Sequence, residues 1–92
     1  MIRVFVTYEG EVDANRYERH AALCRQVPGA TFRHGKVLRT LHGTPEFKHY
    51  AEFEFPDRES FDAVARSDEM RATGADAAEM GIPHGVYVTE LE

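Results

Sequence analysis

The chain has 92 residues, enough for one domain and too few for two. It holds 11 Lys and Arg against 16 Asp and Glu, a formal net charge of −5. That balance disfavours nucleic acid as a partner, and no apolar run approaches the roughly 20 residues that span a bilayer. The single cysteine, Cys24, forms no internal disulfide and no thiolate zinc site, and no charged-then-apolar leader opens the chain; a cytoplasmic protein is the expectation. A domain this small buries only roughly 60–70% of its unfolded surface, so pairing with a second copy would help it.

Ile2 to Tyr8 reads as a strand, rich in β-branched and aromatic residues, with Ile2, Val4, Val6 and Tyr8 on one face. After the Glu9-Gly10-Glu11 turn, Asp13 can cap a helix in which Tyr17, His20, Ala21, Leu23 and Cys24 recur at helical spacing. Pro28-Gly29 ends that helix. Thr31 to Leu41 reads as a second strand, and Phe47 to Phe55 as a third that alternates cleanly. Its Phe47, His49, Ala51, Phe53 and Phe55 share one face, and Lys48, Tyr50, Glu52 and Glu54 the other. Helical spacing returns at Phe61, Val64 and Ala65. Ser67 can cap a further helix over Asp68 to Met80, with Gly74 a point of interruption, and Val86 to Leu91 closes the chain as a strand.

A βαββαβ order over residues 1–92 predicts one α+β domain of ferredoxin-like type, an antiparallel sheet with its helices on one face. The other sheet face, with Phe5 and Tyr50 among charges, suits partial cover by a second sheet. Two such sheets meeting about a two-fold axis would form a dimeric α/β barrel. Glu52 and Glu54 are then expected to meet Arg or Lys of a partner strand.

His20 is the leading candidate for chemistry, because an imidazole at the edge of a core moves protons near neutral pH. The competing account is a partly buried ring hydrogen-bonded to backbone. Tyr17 lies three residues before it on the same helix side. His49 is a polar ring on an apolar strand face and needs a partner or a cavity; it can point toward His20 or out to solvent. Tyr8 can offer a hydroxyl to a ligand oxygen, and Phe53 apolar contact. Cys24 lacks a base at fixed spacing and reads as a small buried residue. No third ligand stands at recognisable metal spacing from His20 and His49, and no glycine-rich phosphate loop is present. Neither a metal nor another cofactor is expected.

The order of these elements resembles the EthD family, within the dimeric α/β-barrel superfamily. The first strand ending in Tyr8 is similar to the family's opening. Tyr17-Glu18-Arg19-His20-Ala21-Ala22-Leu23 resembles its Tyr-x-x-His-x-Pro-Leu element, with Ala22 where the proline usually stands. Phe47 to Phe61 is similar to its third strand and following helix, with Glu52, Phe55 and Phe61 in matching places. Ser67-Asp68-Glu69-Met70 through Asp76 resembles its Ser-Pro-Glu helix and later aspartate. The resemblance implies a homodimer through the sheet faces and a pocket between sheet and helices in each copy. It also implies a cofactor-independent enzyme acting on a small aromatic or polyketide-like carbonyl or phenol compound by proton transfer, decarboxylation, cyclisation or oxygenation. His20 and Tyr17 would be catalytic, and Tyr8, His49 and Phe53 would contact a small apolar ligand. A non-catalytic ligand-binding or accessory protein, and a module whose dimer is its purpose, are the alternatives.

Overall fold

A computed structural model describes all 92 residues. Seven elements follow in order: β1 (Ile2–Tyr8), α1 (Ala14–Cys24), β2 (Thr31–Lys36), β3 (His49–Phe55), α2 (Arg58–Val64), α3 (Asp68–Met80) and β4 (His84–Glu90). The strands form one antiparallel sheet in the order β2-β3-β1-β4, the ferredoxin-like arrangement expected. The second crossover is split into two helices by the short turn before Ser67.

Each helix begins where its sequence provides a cap. The side chains of Asp13, Asp57 and Ser67 accept from the backbone N–H of Arg16, Ser60 and Met70. Gly74 does not interrupt α3, which runs on to Gly81; that residue closes it at φ 70°, a left-handed conformation suited to glycine. β2 stops at Lys36, short of the expected Leu41. Lys36 pairs with His49, the first residue of β3, so no strand remains beyond it to continue the ladder. Leu38 and Leu41 consequently lie in an exposed loop.

The alternation in β1 is realised fully: Ile2, Val4, Val6 and Tyr8 are all buried beneath the helices. Ala51, Phe53 and Phe55 of β3 face the same way, as do Tyr17, His20, Ala21 and Cys24 of α1 from above. Burying each large apolar side chain contributes about 1.5–3 kcal/mol. Phe47 is the exception to the expected face: it precedes β3 and packs edge-on against Phe5, at 6.2 Å between ring centres.

The opposite sheet face has no helix on it. Phe5 and Tyr50 stack there nearly parallel, 5.9 Å apart. Beside them Arg3 and Arg33 bind Glu52 and Glu54. Arg33 reaches both carboxylates at 2.9 Å, and Arg3 reaches Glu54 at 3.2 Å. The two glutamates therefore find their cations on neighbouring strands of the same chain. Desolvation raises the Glu54 carboxyl, but the two guanidinia outweigh it and hold it below the usual range.

Candidate functional site

The helical period places Arg16, His20 and Cys24 at successive i, i+4 positions of α1, one above the other. His20 points into the core at 3% exposure, so its ring nitrogens need partners within the protein. Asp76 of α3 supplies one: His20 Nδ1 lies 2.8 Å from Asp76 Oδ2. Arg16 grips the same carboxylate, with Nη1 at 3.0 Å from Oδ2 and Nη2 at 2.7 Å from Oδ1. That guanidinium holds the Asp76 carboxyl well below its ordinary range, and the His20 hydrogen bond adds to the effect.

The carboxylate can only accept, so Nδ1 of His20 carries the hydrogen and, in the neutral ring, Nε2 is left with a lone pair. Both neighbours of Nε2 are donors: the Tyr8 hydroxyl and the Cys24 thiol, each at 3.4 Å. Burial pushes the Tyr8 phenol up to about 12 and the Cys24 thiol up to about 12. Both stay protonated near neutral pH. Cys24 thus stands beside a base after all, four residues from it, yet as a thiol rather than a reactive thiolate. At 3.4 Å the Tyr8 contact is longer than an ordinary hydrogen bond from a hydroxyl, leaving Nε2 open to a closer donor.

His20, Tyr8 and Cys24 all line a cavity of about 200 Å³ between the sheet and α3. Val4, Val6 and Phe53 supply much of its apolar floor, and no Asp, Glu, Lys or Arg lines it. A cavity of about 150 Å³ lined by apolar groups accommodates benzene, so this one fits a molecule the size of a single substituted ring.

The expected site residues divide between two hollows. Tyr8, His20 and Phe53 share the cavity just described. Tyr17 and His49 do not line it; they face a second, more polar hollow with His34 and Glu18. The Tyr17 ring lies 5.4 Å from His20 and 4.5 Å from His49. Its hydroxyl is buried without a hydrogen-bond partner, and burial raises its pKa strongly. Tyr17 is therefore a wall between the hollows. His49 Nε2 lies 3.2 Å from His34 Nδ1, and burial lowers the pKa of both rings. No three His, Cys, Asp or Glu side chains gather where they could hold a metal ion.

Arg16 was not legible from the sequence as part of the site, and Asp76 entered only through the resemblance. A basic residue four positions before an inward histidine was the available signal: both reach the same acid from one helix face.

No protein-family profile and no curated protein sequence matches the chain. Solved structures do share its fold. An ethyl tert-butyl ether D (EthD) family protein from Bacillus halodurans C-125 superposes with a TM-score of 0.81 at 24% identity, over 100% of this chain and 99% of the other. A dimeric ferredoxin-like protein of unknown function from Jannaschia sp. CCS1 gives 0.75 at 20% identity, over 98% of both chains. SnoaB, a cofactor-independent oxygenase from Streptomyces nogalater, gives 0.61 at 13% identity, over 98% of this chain and 90% of the other. The expected fold is thereby established, and an EthD family protein is among its structural relatives. No helix is long and apolar enough to cross a membrane.

Proposed function

We propose that this chain is an EthD-like, cofactor-independent enzyme that binds a small neutral carbonyl or phenol compound in the cavity and moves a proton with His20. The observation that carries the reading is the single hydrogen bond from His20 to Asp76 at 2.8 Å, which leaves Nε2 with only the 3.4 Å contacts to Tyr8 and Cys24, on a residue that lines an apolar, ring-sized space. A carboxylate behind an imidazole fixes its tautomer and orientation, an arrangement that general acid–base catalysis uses widely. Tyr8 adds a hydroxyl that can hold a substrate oxygen as charge develops on it. Phe53 presents a ring face, and Tyr17 holds the His20 ring in place rather than meeting the ligand.

The uncharged lining argues for a neutral ligand. A carboxylate or phosphate at the depth of His20 would lose its water without meeting a cation, since Arg16 is already spent on Asp76.

The chain also pairs with a second copy through its open sheet face. The dimeric ferredoxin-like relative supports this, as does the flat Phe5–Tyr50 stack beside ion pairs that are already satisfied within the chain.

Isothermal titration with phenol, cyclohexanone and benzoate tests the binding. The two neutral rings are expected to bind and benzoate to bind at least tenfold more weakly; His20→Gln should weaken phenol at least tenfold. Absence of binding by every neutral ring would overturn the proposal.

A further inference from the structure

His84 opens β4 at the mouth of the same cavity, where it lines the wall opposite the helices and remains exposed. Its ring lies 5.9 Å from that of Tyr8, which in turn reaches His20. Its Nδ1 is 2.9 Å from the carbonyl oxygen of Ile82. A carbonyl only accepts, so Nδ1 carries the hydrogen, and Nε2 has no partner in the protein. The cavity thus holds two imidazoles with one design. Each has Nδ1 committed to a fixed acceptor, Asp76 for His20 and Ile82 for His84, and each keeps Nε2 free of a strong bond. One is enclosed at 3% exposure and the other is in contact with water.

We propose that His84 is the second acid–base group of this cavity, making it a two-base site that shifts a proton between two positions of one neutral ring. The inference rests on the reading of the cavity as the site of proton transfer. In the step, His20 Nε2 takes a proton from a carbon beside the substrate carbonyl. The C–H electron pair moves into an enol or enolate, whose oxygen the Tyr8 hydroxyl holds. His84, entering as the imidazolium, returns a proton from Nε2 to the far carbon of the conjugated system, and the carbonyl reforms. The substrate leaves as its isomer with no change in oxidation state. His20 is then protonated and His84 neutral; exchange with water restores both, and the exposed position of His84 makes its recharging direct. The ligand class narrows to single-ring unsaturated ketones and their enol or phenol tautomers.

Cyclohex-3-enone is a suitable probe, because its conversion to cyclohex-2-enone removes a proton at one carbon and delivers one two carbons further on. The wild-type protein should accelerate the conversion over buffer, followed by the absorbance of the conjugated product. His84→Gln, at an exposed position, should keep the fold and ketone affinity while losing at least tenfold in rate. Added imidazole should restore part of that loss, which a merely structural role would not allow. An unchanged rate in His84→Gln would overturn the role of His84 and leave the His20 reading intact. Binding of cyclohex-3-enone without conversion by the wild type would overturn the two-base step alone. Failure of the wild type to bind any neutral ring would remove the reading beneath it as well.

Discussion

Asp76 and His20 stand 56 residues apart in the chain and meet at 2.8 Å. The bond joins α3 to α1 across the top of the sheet and fixes the orientation of the one imidazole enclosed in the core. Because Arg16 holds the other side of the carboxylate, the acid stays charged and the contact combines helix docking with tautomer selection. The same three side chains therefore contribute to both stability and proposed chemistry.

Asp76→Asn separates these contributions from shape. The amide keeps the volume but removes the charge that Arg16 and His20 both use. A loss of about 1.5–3 kcal/mol in unfolding free energy is expected, read by urea denaturation at pH 7. The acid limb should also flatten. Asp76 is held below its ordinary pKa in the folded chain, so its contribution is present above about pH 4 and is lost as pH falls through the lower folded value.

His34 and His49 predict a second pH effect in a different window. Burial lowers both pKa values, and His34 further lowers His49 through its own charge. The unfolded chain therefore takes up protons first. Their contribution is intact above about pH 6.5 and is lost as pH falls through the depressed folded values. His49→Gln should reduce the drop in stability between pH 7 and pH 5, measured as the shift in urea midpoint. An equal drop in wild type and variant would contradict the burial of this pair.

Tyr17→Phe removes a buried hydroxyl that has no partner. Stability should stay level or rise by about 1 kcal/mol, because the oxygen loses its water on folding and gains no hydrogen bond in return. Phenol affinity should hold within about twofold, a size of change below the roughly 1.4 kcal/mol that marks a tenfold effect. A tenfold loss of affinity would place Tyr17 at the ligand.

The open sheet face predicts an assembly that one substitution breaks. Light scattering of the wild type at micromolar concentration should give twice the 10.5 kDa chain mass. Phe5→Glu puts an unpaired carboxylate into the Phe5–Tyr50 stack and should give the single-chain mass with the fold retained. A wild-type mass of 10.5 kDa would contradict the dimer.

The strands and helix starts were legible because they are written in local chemistry. The alternation of Ile2 to Tyr8 and the capping side chains of Asp13 and Ser67 need only neighbours in sequence. The early end of β2 was hidden, since it depends on where β3 begins on the adjoining strand. His20, Tyr8 and Phe53 were legible as inward residues on apolar faces, and the structure brings them together. His49 shares the alternation that buries Phe53, yet it lies at the strand end beyond Tyr17, in the other hollow. Spacing along a strand fixes the face of a side chain but not the position of a cavity along it. The Asp76 contact and the rim position of His84 depend on how α3 and β4 lie relative to α1, which no local pattern encodes.

The most direct measurement is nitrogen NMR of the histidine rings in uniformly ¹⁵N-labelled protein, with and without phenol. In the neutral His20 ring the hydrogen should lie on Nδ1, and the Nε2 resonance should move when phenol is added. A hydrogen on Nε2, or an Nε2 signal indifferent to phenol, would contradict the account.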